Sequence, residues 1–151
     1  MRASGDHAGT EPLGRVEIVL LDADPNGLAE MLAGLLEANL ARHPDRSALL
    51  LPAVVELDAV DADVTVSVRT LPGRIEIANG PAGEAADVEL HASSQGLLAL
   101  SAVPLRLGLP DPFRRSGRSV LGEIMRRRVR VSGMLRHPVV LSRFARLLSV
   151  A

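Results

Sequence analysis

The 151-residue sequence predicts an α+β fold, with a series of antiparallel strands passing into helices. Two observations carry that prediction. Between residues 62 and 103, apolar side chains recur at every second position, as Val64, Val66 and Val68, then Ile75 and Ile77, then Val88, Leu90 and Ala92. Pro72-Gly73 and Gly80-Pro81 punctuate these runs, as hairpin and loop connections require. At Ser93-Ser94 the period changes from two to helical, which marks a strand handing over to a capped helix.

Composition bounds the rest. With 47% hydrophobic residues the chain suits one domain, read as 14–151 behind a loose polar tail at 1–13. It has no cysteine, so disulfides and thiolate metal sites are excluded, and the apolar runs fall short of the ~18 residues a membrane span needs. The first residues lack the apolar centre of a signal peptide, so a cytoplasmic location is expected. Two Phe and no Trp or Tyr leave few platforms for base stacking, and no nucleic-acid partner is expected. All 17 basic residues are Arg, a bias expected of a GC-rich bacterial genome. Charge is asymmetric: residues 1–100 carry 6 Arg and 16 acids, whereas residues 101–151 carry 11 Arg and 2 acids.

In chain order, Arg15 to Leu21 alternates as a strand. Leu28, Met31, Leu32, Leu35, Leu36, Asn39 and Leu40 then form one stripe of a helix that His43-Pro44 ends. A strand is expected around Val54 to Leu57, with Pro52 marking an edge or a strand start. The three strands of the opening pattern follow, and then the helix of Leu97, Leu98 and Leu100. A helix is predicted over 116–128, a brief strand at Val129 to Val131, a turn at Gly133 and a last helix from Pro138. In that helix Val140, Leu141, Phe144, Leu147 and Leu148 make an apolar stripe.

Motifs for catalysis are sparse. Asp22-Ala23-Asp24-Pro25-Asn26-Gly27 matches the first half of a calcium loop, but the twelfth position is Ala33 rather than Glu. A strand-to-helix turn, capped by Asp24 or Asn26 with Pro25 in the first turn, explains it instead. Asp58, Asp61 and Asp63 read as solvated carboxylates of a hairpin connection, with no His identifiable as their partner. His7, His43, His91 and His137 are scattered, and no phosphate-binding glycine pattern occurs. No catalytic residue, metal or cofactor is therefore expected, and the chain is not read as an enzyme. The remaining signal is an arginine band, Arg114, Arg115, Arg118, Arg126, Arg127, Arg128 and Arg130, countered by Glu123. It is either an intramolecularly balanced face or a surface for an anionic headgroup, a membrane or a protein partner.

The order of these elements resembles the sterol carrier protein type 2 family of lipid-transfer domains. The resembling segments are NGLAEMLAGLLEANLARH, ADVTVSVRT, PGRIEIANG, ADVELHAS, SSQGLLALSAV, RRRVRVSG and LSRFARLLSV, which span most of residues 28 to 151. The resemblance implies a mixed, mostly antiparallel sheet of five or slightly more strands, helices on one face, and an apolar tunnel between them for fatty acyl chains or other lipids. A bacterial chain is not expected to meet sterol itself. Two features depart from the family pattern: the strand at Arg15 to Leu21, and a long proline-rich link from Leu105 to Ser119.

From the resemblance and the apolar helices, a non-catalytic lipid-binding module is expected. Its pocket would be lined by Leu97, Leu98, Leu121, Met125, Met134, Leu135, Val140, Phe144, Leu147 and Leu148, with an Arg for the headgroup. The alternative is a filled core, in which case the domain would partner an enzyme through its Arg-rich last third.

Overall fold

The computed structural model describes residues 15–101, 105–106, 109–110 and 129–149. Its centre is a six-stranded sheet. The strands are β1 (Glu17–Leu20), β2 (Ala53–Ala59), β3 (Val64–Leu71), β4 (Arg74–Asn79), β5 (Val88–Ala92) and β8 (Val129–Ser132), in the order β1-β4-β3-β2-β5-β8. β6 (Leu105–Arg106) and β7 (Leu109–Pro110) form a separate two-residue ladder. The β2-β3, β3-β4 and β5-β8 pairs are antiparallel, whereas β1-β4 and β2-β5 are parallel. The sheet is thus mixed and mostly antiparallel, as expected. The strand ahead of the first helix extends it at one edge.

Alternation decides which face is buried. Val55, Leu57 and Ala59 of β2, Val66 and Val68 of β3, Ile75 and Ile77 of β4, and Val88, Leu90 and Ala92 of β5 all point to one side, each no more than 5% exposed. The helices α1 (Gly27–Arg42), α2 (Ser94–Ser101) and α3 (Pro138–Leu148) supply the cover through Ala29, Leu32, Leu36, Leu40, Leu97, Phe144 and Leu147. Each such Val, Leu or Ile is worth about 1.5–3 kcal/mol of burial. Pro52 stands just before the first residue of β2, which lies inside the sheet between β3 and β5, so the proline marks a strand start and not an edge.

The opposite face carries Glu56, Asp58, Arg69, Arg74 and Glu76, and the link from β4 to β5 passes over it. Ala82 N–H donates to the Glu56 carboxylate, and Arg69 pairs with Glu84 on that link. The cover leaves Ser67, an outward residue of β3, buried.

Caps and turns are made by the predicted residues, with some changes. Asn26, whose side chain accepts from Ala29 N–H, is the N-cap of α1. Pro25 precedes that cap and is not in the first helical turn. The calcium-like motif is a splice to β4: Asp22 accepts from Asn79 N–H, and Asn79 returns bonds to Asn26 N–H and the Asp24 carbonyl. Ser93 caps α2 through Gly96 N–H. Asp61 reinforces that end from the β2-β3 turn, accepting from both Ser94 N–H and the Ser94 hydroxyl. Those bonds hold the Asp61 carboxyl below its usual pKa. Gly133 turns β8 toward α3 at φ +82°, against the Asp87 carbonyl. The helix expected over 116–128 lies outside the described residues.

Candidate functional site

A cleft of about 180 Å³ opens between the sheet, the short 3-10 turn Pro44–Leu49 and α3. Leu49, Leu51, Pro52, Ala53 and Val55 form one wall, and Val140, Phe144 and Leu147 form the other. Two residues add polarity. Thr70, an inward position of β3, is buried and spends its hydroxyl on the Leu51 carbonyl. Among the described residues, Arg143 is the one charged member of the lining. It is placed there by helical spacing: Val140, Phe144 and Leu147 define the inner stripe of α3, and Arg143 sits on its shoulder, half-buried. A guanidinium beside an apolar slot can bond the carboxylate or phosphate of an amphipathic molecule while the slot takes its hydrocarbon.

The C-terminal end of α3 is held both from α1 and from the 3-10 turn. Asn39, buried on α1, donates through Nδ2 to the carbonyls of Leu147 and Leu148 at 3.0 and 2.9 Å. Arg46 of the 3-10 turn donates to the Ser149 carbonyl. These bonds satisfy end carbonyls that a helix leaves without internal partners. They hold the C-terminal end of α3 against α1 and set the width of the cleft there.

A second, larger hollow of about 860 Å³ lies between β1 and α1. Its floor is Val16, Ile18 and Leu40, and its rim carries charges of both signs in Arg15, Glu17 and Glu37. Mixed charge at an open rim gives no preference for one headgroup, so the α3 cleft has the more selective chemistry.

The expected pocket residues separate into distinct places. Val140, Phe144 and Leu147 come together in the cleft wall. Leu97 and Leu148 are buried in the core between sheet and helices. Met134 and Leu135 line neither of these two hollows: they sit on the turn between β8 and α3 that Gly133 opens, with Leu135 93% exposed. The Leu98 side chain, Leu121 and Met125 lie outside the described residues. So do Arg114, Arg115, Arg118, Arg126, Arg127 and Arg128, and Arg130 is exposed on β8. The wall from Leu49 to Val55 and the cation Arg143 were not expected at the site. Arg143 could have been found from its place one residue before Phe144 on an otherwise apolar stripe.

On the outer sheet face, Asp58 of β2 and His91 of β5 are partners after all. His91 Nδ1 lies 3.0 Å from Asp58 Oδ2, and His91 Nε2 lies 3.5 Å from Glu89. The parallel register that sets Asp58 opposite His91 brings the two together, which the sequence spacing alone conceals. The bond to Asp58, with Glu89 adding, raises the His91 pKa above its ordinary value against a smaller effect of burial. Thr65 donates to the other Asp58 oxygen at 3.3 Å. Among the described residues, no three His, Asp or Glu side chains gather as a metal site, and no helix is long and apolar enough to cross a membrane.

No family model and no curated protein matches this chain. Among solved structures, one titled "UbiJ-SCP2 Ubiquinone synthesis protein" is similar over 80% of this chain and 92% of that chain, with a TM-score of 0.56 at 18% sequence identity. Identity this low speaks for architecture, and the mixed sheet with its one-sided helical cover agrees with it. The chain therefore has the sterol-carrier, SCP2-like fold.

Proposed function

We propose that the chain is a non-catalytic lipid-binding module that holds a fatty acyl or other hydrophobic ligand between sheet and helices. The observation that carries this reading is the α3 cleft, where apolar walls from β2 and α3 meet the cation Arg143. Each methylene taken from water contributes about 0.8 kcal/mol, and a charge-assisted bond from the guanidinium selects a carboxylate or phosphate end. The cleft volume of 180 Å³ is below the ~300 Å³ at which ordinary ligand pockets begin. A short or partly inserted chain therefore fits this volume better than a full-length acyl chain.

Native mass spectrometry tests this after delipidation and incubation with a fatty acid, an acyl-CoA and a short-chain ubiquinone, the last because the structural neighbour is titled a ubiquinone synthesis protein. A one-to-one adduct with at least one of them is expected. No adduct with any would sink the proposal.

One observation favours a second reading. Leu36, Leu57, Ile75, Ile77 and Leu147 are each under 2% exposed, so most of the interface between sheet and helices is filled. On that reading the domain partners an enzyme through its Arg-rich last third. Its mark would be absence of any lipid adduct, together with capture of one defined enzyme that is lost when Arg126, Arg127 and Arg128 are reversed to Glu.

A further inference from the structure

Apolar side chains in water are unremarkable when single, but here they are concentrated. Six large hydrophobic residues are exposed among those described, and three of them fall between positions 134 and 139: Met134 at 44%, Leu135 at 93% and Val139 at 57%. Met134 and Leu135 form the tip of the turn that Gly133 opens, and Val139 follows in the first turn of α3. A fourth, Leu51, is 45% exposed and lines the α3 cleft beside Val140, the residue after Val139.

The charge around this tip is mainly positive. Arg130 and Arg136 flank it in sequence, and the exposed Val139 and Arg146, two helical turns apart, share the outward side of α3. After Glu123 the chain contains no acidic residue. Two acids face this end: Asp87, the residue before β5, accepts Val54 N–H and lies 3.8 Å from His137 of the turn, and Glu89 of β5 lies 3.5 Å from His91.

We propose that the turn between β8 and α3 is a membrane-contact element, in which Met134, Leu135 and Val139 insert at an anionic lipid surface while Arg130, Arg136 and Arg146 meet its headgroups. A protein partner fits less well. A stable protein interface needs about 800 Å² on each side, whereas this feature is a narrow apolar point with a cationic collar, the form that suits the boundary between headgroups and acyl chains. Long arginine stems also let the guanidinium groups stay at headgroup level while the tip goes deeper. The inference stands on exposure and charge, and holds whether or not the cleft carries lipid.

Vesicle flotation tests it with the full chain. Wild-type protein is expected to float with vesicles in which about a third of the phosphatidylcholine is replaced by phosphatidylglycerol, and to stay behind with pure phosphatidylcholine; about 0.5 M NaCl should release it. Leu135→Asp should weaken association with the anionic vesicles about tenfold or more, because one fully exposed leucine is removed from insertion. Arg136→Glu should weaken it as well. Both sites are exposed, so circular dichroism and the thermal midpoint should match wild type, and fatty-acid loading by native mass spectrometry should be unchanged. Failure of wild type to float with anionic vesicles, or flotation of Leu135→Asp equal to wild type, would overturn the proposal. Loss of lipid loading in wild type with flotation intact would remove the carrier reading and leave this one standing.

Discussion

The Asn39 side chain on α1 ties down the end of α3, donating to the Leu147 and Leu148 carbonyls across more than a hundred residues of chain. Asn39 falls on the apolar stripe of α1 and is 1% exposed, and this contact between helices satisfies its amide NH2. Asn39→Ala leaves both carbonyls without that donor and opens a small void. The expected cost is about 1–3 kcal/mol, measured by denaturant unfolding. A variant as stable as wild type would mean that α3 is held by its apolar stripe alone.

Gly133 is the second point at which local geometry controls α3. A Cβ there would lie 2.1 Å from the Asp87 carbonyl oxygen, in a backbone conformation of φ +82° that L-residues rarely adopt. Gly133→Ala should therefore lose about 1–3 kcal/mol from conformation, with displacement of the β5 backbone in addition. Gly83→Ala, where a Cβ meets nothing within 4 Å, is the control and should be close to neutral. Equal stability of the two variants would contradict this assignment.

The Asp58–His91 pair gives a pH dependence of known sign. Its folded-state pKa is raised above the ordinary 6.5 of an imidazole, so the pair stabilises the fold fully below about that pH. The contribution is lost as pH rises through the folded-state pKa. An NMR titration of the imidazole should show a midpoint above the ordinary value that falls in Asp58→Asn. An unchanged midpoint in that variant would show that Asp58 is not the cause.

Arg143 should determine which end of an amphiphile is recognised. Arg143→Gln is expected to weaken a fatty acid about tenfold, as loss of a charge-assisted bond implies, and to leave the matching fatty alcohol nearly unaffected. Competition binding with the two ligands measures the difference. Equal weakening of both would mean that the residue acts by packing.

Much of this architecture can be read from residue order because strands and helices are written in short-range periodicity. Val64 to Val68, Ile75 to Ile77 and Val88 to Ala92 alternate so regularly that their buried face follows at once, and Ser93 marks the start of α2. What sequence order conceals is pairing at a distance. The parallel β2-β5 register brings Asp58 to His91, and the crossing of α1 by α3 brings Asn39 to Leu148. The cleft was half visible for the same reason. The α3 stripe announces Val140, Phe144 and Leu147, but nothing in the run Leu49 to Val55 says that it faces them. Met134 and Leu135 show the converse, since apolar character places a residue in a core only when the turn beneath it points inward.

The central claim is that a lipid occupies the cleft between β2 and α3, and it is tested most directly by NMR with methyl-labelled, delipidated protein titrated with a fatty acid. The account predicts that the methyl signals of Val55, Leu51, Val140 and Leu147 shift together and saturate at one equivalent, while those of Val66 and Ala59, buried toward the other end of β2 and β3, stay in place. Saturable shifts confined to Val16, Ile18 and Leu40 beneath β1, or no saturable shifts at all, would contradict it.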